Sequence, residues 1–177
     1  MRAFTLAALI LTTGSLWSAT IPRPSPDFAV KMPDGKVMHV SDYRGKVLCL
    51  AFILTTCPHC QNTTKILEGI YPELAPKGFV VVEAVVNDNP NIPEFVSQFK
   101  VPWPVGSAGV LPAVDYIQWP HTKVPMVPFL VFIDRQGTIR AQYTGVDESF
   151  FENQQEQHIR DEVNKLLKEP AHRKPAG

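Results

Sequence analysis

The sequence predicts an α/β domain in which one mixed sheet is covered by helices on both faces. Three observations lead there. Continuous apolar runs of strand length occupy residues 47–54 (VLCLAFIL), 79–86 (FVVVEAVV) and 129–133 (FLVFI), as strands covered on both faces require. Stretches with helical spacing of apolar residues alternate with these runs. The chain has 177 residues, 45% of them hydrophobic, enough to bury a core without disulfide staples. Seventeen Lys+Arg balance seventeen Asp+Glu, which argues against a nucleic-acid binder with its basic surplus.

The elements follow in order. Met1 and Arg2 precede an apolar run at residues 4–11 (FTLAALIL). That run falls short of the roughly 20 residues that span a bilayer and fits a secretory signal peptide covering residues 1–19. Ala19 suits the residue before the cut, while Trp17 stands where a small residue is preferred. The folded part is therefore expected to be periplasmic or secreted, or membrane-tethered if the signal is retained, where cysteine pairs can be oxidised. Residues 20–27 (TIPRPSPD) read as a Pro-rich extended lead-in. Residues 28–30 and 37–40 flank the turn signal Met32-Pro33-Asp34-Gly35 and predict a hairpin.

After the buried strand at 47–54, a helix is expected from Cys57, with Ile66, Leu67, Ile70 and Tyr71 on one face. The strand at 79–86 precedes a helix at 93–100 carrying Phe95, Val96 and Phe99. Many of the seventeen prolines fall between Pro90 and Pro128, which predicts an irregular, exposed connection. Residues 129–133 and 138–143 form a second hairpin through Asp134-Arg135-Gln136-Gly137. A closing amphipathic helix at 149–167 places Phe151, Ile159, Val163 and Leu166 on one stripe. One domain over residues 28–168 results, followed by a frayed tail at 169–177.

The chemistry sits at Cys57-Pro58-His59-Cys60. With the strand ending near Leu54, Cys57 falls at the N-cap or in the first helical turn. Pro58 then takes the first helical position, where its missing N–H costs nothing. Open backbone N–H groups and the positive end of the helix dipole favour a thiolate at Cys57. Cys60, three residues on, shares its helix face and can close a short disulfide. Cys57 would attack a substrate disulfide and Cys60 would resolve the mixed intermediate. His59 adds a donor beside the thiolate, which makes the pair more oxidising. Other uses compete. A zinc site lacks two further ligands, copper transfer would need Cys57, Cys60 and the remote His121, and an inert disulfide is compatible with the spacing. Cys49 lies inside an apolar strand run and reads as a small buried hydrophobe.

These residues carry a family resemblance. Asp27-Phe28, then Asp34-Gly35-Lys36, then residues 41–47 (SDYRGKV), a buried strand and a C-x-x-C resemble the thioredoxin-like redoxins of the TlpA/ResA type. The similarity runs over residues 26–167. It implies a thioredoxin fold with an N-terminal β-hairpin extension. Residues 127–134 (VPFLVFID) resemble the family segment opened by a cis-proline. Carried over, that proline is Pro128, with the Val127 backbone beside the sulfurs in a substrate groove.

The sequence also departs from the family pattern. Thr56 replaces the usual tryptophan, and Ala51 stands where thioredoxin-type strands often carry a buried acid. Glu83 could substitute as proton acceptor for Cys60, unless it faces solvent. Cys-Pro-His-Cys with Val127-Pro128 looks like the pair of DsbA-type oxidases. A peroxidase of the same superfamily is disfavoured, because Leu50 and Leu54 stand where the Pro and Thr of a Pro-x-x-x-Thr-x-x-Cys pocket would be.

The expected function is thus an extracytoplasmic thiol–disulfide oxidoreductase using Cys57 and Cys60 and leaning oxidising. Pro58, His59 and Glu83 would tune it, and Thr56, Val127 and Pro128 would shape the groove. A reductase for cytochrome c maturation or copper-site assembly, or a copper metallochaperone without turnover, are the alternatives. No cofactor or metal is called for, since the sulfurs carry both electrons. Partners would be cysteine-containing extracytoplasmic proteins and a membrane redox protein that resets a monomeric enzyme, with no role for nucleic acid.

Overall fold

The computed structural model describes residues 19–170. Its single sheet has eight strands in the order β1-β8-β7-β4-β5-β6-β2-β3. In chain order these are β1 (Arg23–Pro24), β2 (Ala29–Lys31), β3 (Val37–His39), β4 (Val47–Ile53), β5 (Phe79–Val85), β6 (Val105–Ser107), β7 (Phe129–Ile133) and β8 (Thr138–Tyr143). The helices are α1 (Pro58–Leu74), α2 (Ile92–Phe99), α3 (Val110–Tyr116), α4 (Glu148–Phe151) and α5 (Gln155–Lys168). Strands β4, β5 and β6 are parallel, and β7 runs antiparallel to β4. The sheet is therefore mixed, and the fold is thioredoxin-like. No helix among the described residues is long and apolar enough to cross a membrane.

All seven residues of β4 are buried because both faces of the sheet are covered. Alternation along the strand sends Cys49, Ala51 and Ile53 into one core with Cys60, Leu67 and Leu74 of the α1 side. Leu48, Leu50 and Phe52 enter a second core with Phe28, Tyr116 and Phe129 on the α3 side. Helix α1 ends in a 3₁₀ turn, Ala75–Lys77, closed by Gly78 at φ +98, a left-handed position suited to glycine.

The structure departs from the sequence-based expectations at four places. The 90–128 connection is not simply irregular: it contains β6 and α3. Its prolines are compatible with both helices, since Pro93 and Pro112 fall within first turns, where a missing N–H is tolerated. The Pro-rich lead-in forms β1 and pairs with β8, Arg23 opposite Ile139. Buried Arg23 donates from Nη2 to the Tyr116 carbonyl at 2.8 Å and to Gln142 Oε1 at 3.0 Å. The closing helix is two helices, broken where Gln154 adopts φ +72. Beyond the break, Gln155 docks on α1, donating to Thr63 Oγ1 at 2.8 Å and accepting from Asn62 at 3.2 Å. Finally, Glu169 does not begin a frayed tail. Its carboxylate receives Arg140 at 2.7 Å and its carbonyl receives Arg135 at 2.9 Å. The signal peptide, Ala19 apart, and residues 171–177 lie outside the described residues.

Candidate active site

The site is built at the end of β4. Leu54 and the three residues after it turn the chain from strand to helix, with the Cys57 N–H donating to the Leu54 carbonyl at 3.1 Å. Thr55 is pinned from two sides: its N–H donates to Asn87 Oδ1 at 3.1 Å, and its carbonyl accepts from Gln61 Nε2 at 2.8 Å. Cys57 is the N-cap of α1, in extended conformation, and Pro58 occupies the first turn. The Cys57 carbonyl accepts the first helical bond, from the Gln61 N–H at 3.0 Å. No side chain caps the helix. Its first N–H groups therefore stay open at the end where the Cys57 sulfur sits, and the dipole is positive there.

The two sulfurs have unlike surroundings. Cys57 is half-buried, Pro58, His59 and Thr56 are exposed, and Cys60 is fully buried. The Cys60 thiol is pushed up by burial, opposed by the Leu54 N–H, which donates to Sγ at 3.5 Å. Cys57 acts on it both as a charge and as a hydrogen-bonding neighbour, and each raises it further. The geometry makes Cys57 the reachable sulfur and Cys60 the sheltered one.

Glu83 sits on β5, directly opposite Ala51, and is wholly buried on the α1 side of the sheet. It does not face solvent. Its Oε1 accepts from Thr64 Oγ1 at 2.7 Å, and that hydroxyl also lies 3.1 Å from the Cys60 carbonyl. One hydroxyl proton serves only one of these acceptors at a time. Burial pushes the Glu83 carboxyl up to about 7, against the Thr64 hydroxyl and the Trp103 indole. Trp103 Nε1 does not complete a hydrogen bond; it and Glu83 Oε2 are buried without partners among the described residues. The charge of Glu83 reaches both Cys60 and Cys49 and disfavours their thiolates. Cys49 is fully buried, and its thiol is pushed up chiefly by that burial.

The Val127–Pro128 peptide is cis. Phe129 pairs with Phe52, so Pro128 and Val127 lie beside the end of β4 from which the Cys57 turn departs. Val127 and Cys57 pack against the same core. Among the described residues, neither the Val127 N–H nor its C=O enters a backbone hydrogen bond. The segment is held instead through its neighbour: the Gly145 N–H donates to the Met126 carbonyl at 2.6 Å. A Cβ on Gly145 would stand 2.6 Å from the Met126 oxygen and 2.8 Å from that of Val127.

The structure thus brings Thr56, Cys57, Pro58, His59 and Cys60 together on one turn, with Val127 and Pro128 alongside and Glu83 beneath. His121 is engaged elsewhere, 2.9 Å from Asp115, so the three-ligand copper set is not assembled. No group of three His, Cys, Asp or Glu among the described residues is placed to hold a metal. Sequence reasoning missed Thr64, Asn87 and Gly145. Thr64 had a signal, since it stands one helical turn after Cys60 and so faces the same side.

A profile described as the AhpC/TSA family matches residues 21–162. A thiol-disulfide oxidoreductase ResA of Geobacillus thermodenitrificans is 25% identical over 129 residues, 72% of this chain and 71% of that one. Another ResA, of Bacillus cereus, is 27% identical over 129 residues, 71% and 70% of the two chains. A crystal structure of a putative thiol:disulfide interchange protein DsbE from Chlorobium tepidum is 26% identical, with a TM-score of 0.61. That match covers 82% of this chain and 99% of the other.

Proposed function

We propose, for a chain that belongs to the AhpC/TSA family and is a thiol–disulfide oxidoreductase of the ResA/DsbE type, that Cys57 and Cys60 exchange disulfides with extracytoplasmic proteins, in the oxidising direction. The observation that carries this reading is the contrast between a reachable sulfur at a helix N-cap and a buried one a turn later. A client thiolate attacks Cys57 of the oxidised pair, forming a mixed disulfide and releasing Cys60 as thiolate. The buried Cys60 thiolate takes a proton, for which Glu83 is the nearby titratable group. The client's second thiolate then attacks its own sulfur in the mixed disulfide and frees Cys57. In reverse, Cys57 opens a client disulfide and Cys60 resolves it.

His59, exposed beside Cys57, stabilises the reduced form and raises the potential, as in a DsbA-like Cys-Pro-His-Cys pair. Thr56 and the unpaired Val127 main chain offer an extended client segment a place to pair, next to Pro128. The basic start and short apolar run at residues 4–11 support export. Turnover then needs a membrane redox partner to restore the disulfide of a monomeric enzyme.

The test is the reduction potential by glutathione equilibration, with His59→Ala alongside. The expected value lies nearer the roughly −120 mV of DsbA than the roughly −270 mV of thioredoxin, and the substitution lowers it. A value close to thioredoxin's and unmoved by the substitution rejects the oxidising direction and favours a reductase. Glu83→Gln with unchanged Cys60 titration and exchange rates would remove that carboxyl from the mechanism.

A further inference from the structure

The parallel ladder between β4 and β5 ends with Ile53 opposite Val85, and its last bond runs from the Val86 N–H to the Ile53 carbonyl at 2.9 Å. If the ladder went on, its next bonds would join Thr55 to the main chain beyond Val85. Side chains make them instead. The Thr55 N–H donates to Asn87 Oδ1 at 3.1 Å, and the Thr55 carbonyl accepts from Gln61 Nε2 at 2.8 Å. The Thr55 hydroxyl donates to the same Asn87 oxygen at 3.4 Å. Asn87 is the second residue after β5, and its own amide N–H donates to the Asp88 carbonyl at 3.4 Å, which leaves Oδ1 facing Thr55. Gln61 straddles the turn: its N–H holds the Cys57 carbonyl at 3.0 Å while its side chain reaches back to Thr55. Two half-buried amides thus grip both main-chain groups of the residue two positions before Cys57.

Building on the redox reading above, we propose that Asn87 and Gln61 are positioning residues for Cys57, holding the strand-to-helix turn so that the Cys57 sulfur of the reduced pair stays at the open N–H end of α1. Both side chains are neutral and bond the main chain, so they act through the backbone and not through charge. The Cys57 N–H already bonds the Leu54 carbonyl at 3.1 Å. Tying Thr55 therefore fixes the whole stretch between Leu54 and Cys57. No side chain caps α1, and an anion at Cys57 is favoured only while the turn keeps it over the first N–H groups. In the oxidised pair the bond between the sulfurs also holds Cys57 to Cys60. In the reduced pair the turn alone does. Loss of the clamp thus costs the reduced form more than the oxidised one.

The experiment uses the full chain carrying Asn87→Ala or Gln61→Met, with Gln98→Ala, on the exposed side of α2, as control. Iodoacetamide labelling of each reduced protein is followed cysteine by cysteine in mass spectra, and the disulfide is equilibrated with glutathione. Asn87→Ala should label Cys57 about fivefold more slowly than wild type at pH 6, with the deficit closing by pH 9, where a thiolate forms unaided. Its equilibrium with glutathione should move about fivefold toward the disulfide, a potential lower by about 20 mV. Gln61→Met, which removes one donor and keeps the side chain's length, should move both readouts the same way by about twofold, and it decides alone if Asn87→Ala does not fold. Gln98→Ala should match wild type, and Cys60 and Cys49 should stay protected in every variant. Unchanged Cys57 labelling in both clamp variants overturns the proposal, as does a deficit equal at pH 6 and pH 9. Faster labelling of Cys60 in the clamp variants also overturns it, since that marks a general loosening of the fold. A wild type that never exchanges with glutathione would count against the redox reading, while the labelling comparison still decides the clamp.

Discussion

The two faces of the sheet are built for different purposes. On the α3 side, Phe28, Phe52, Tyr116 and Phe129 meet in edge-on and tilted contacts with centroids 5.0–6.1 Å apart, backed by Leu48 and Leu50. On the α1 side, β4 and β5 bury Cys49 and Glu83, and α1 adds buried Cys60 and Thr64, the latter reaching down to Glu83. One carboxylate oxygen and one indole N–H there lack partners among the described residues. A buried unpaired polar atom costs on the order of 1–3 kcal/mol, and the α1 side carries that cost within an apolar core of its own that includes Phe79, Phe95, Phe132 and Phe150. Both sides of the sheet supply apolar packing, while the chemistry is confined to the α1 side.

That division can be broken from either side. The largest expected effect is on the α3 side: Phe52→Ala should cost about 4 kcal/mol in denaturant unfolding and leave the reduction potential unmoved. A potential that shifts with Phe52 would show the two faces to be coupled. Next comes Glu83. Its carboxyl is raised from 4.5 to about 7, so the folded chain holds a proton that the unfolded chain releases in that window. Stability contributed by the protonated group is complete below pH 4.5 and is lost as pH rises through 7. Glu83→Gln should remove the decline, gaining up to about 3 kcal/mol relative to wild type between pH 4 and pH 8. Parallel stability–pH curves for the two proteins would deny the carboxyl its raised position.

Smaller effects sharpen the picture. Gly145→Ala places a Cβ against the main chain of Met126 and Val127 and should cost about 2 kcal/mol. It should also slow exchange with protein clients more than with a small disulfide, which needs no groove. Thr64→Val removes the donor to Glu83 Oε1. It should cost about 1 kcal/mol, more at pH 8 than at pH 5, because the lost bond matters most to the ionised carboxylate.

How legible these features were in the sequence follows from the range of the interactions that make them. Strands β4, β5 and β7 announce themselves as continuous apolar runs, and α1 through Leu67 and Ile70, because burial on both faces or on one stripe is a local pattern. Strands β1 and β6 are two and three residues long and form by pairing with strands distant in sequence, β1 with β8 and β6 between β5 and β2, so no local pattern marks them. The break between α4 and α5 is invisible in the periodicity, since Gln155 is anchored by Thr63, far away in sequence. At the site, Cys57 and Cys60 were legible from spacing alone. Glu83 could be noticed as a carboxylate in an apolar run, but its burial and its partner on α1 depend on packing. Gly145 was not legible, because what requires glycine is the approach of the 126–127 backbone.

The central claim is the inequality of the two sulfurs. Substoichiometric alkylation of the reduced, folded protein, followed by mass spectrometry of the modified peptides, tests it directly. Label is expected to enter Cys57 first, with Cys60 and Cys49 protected until the protein unfolds. Label entering Cys60 as fast as Cys57 would contradict it.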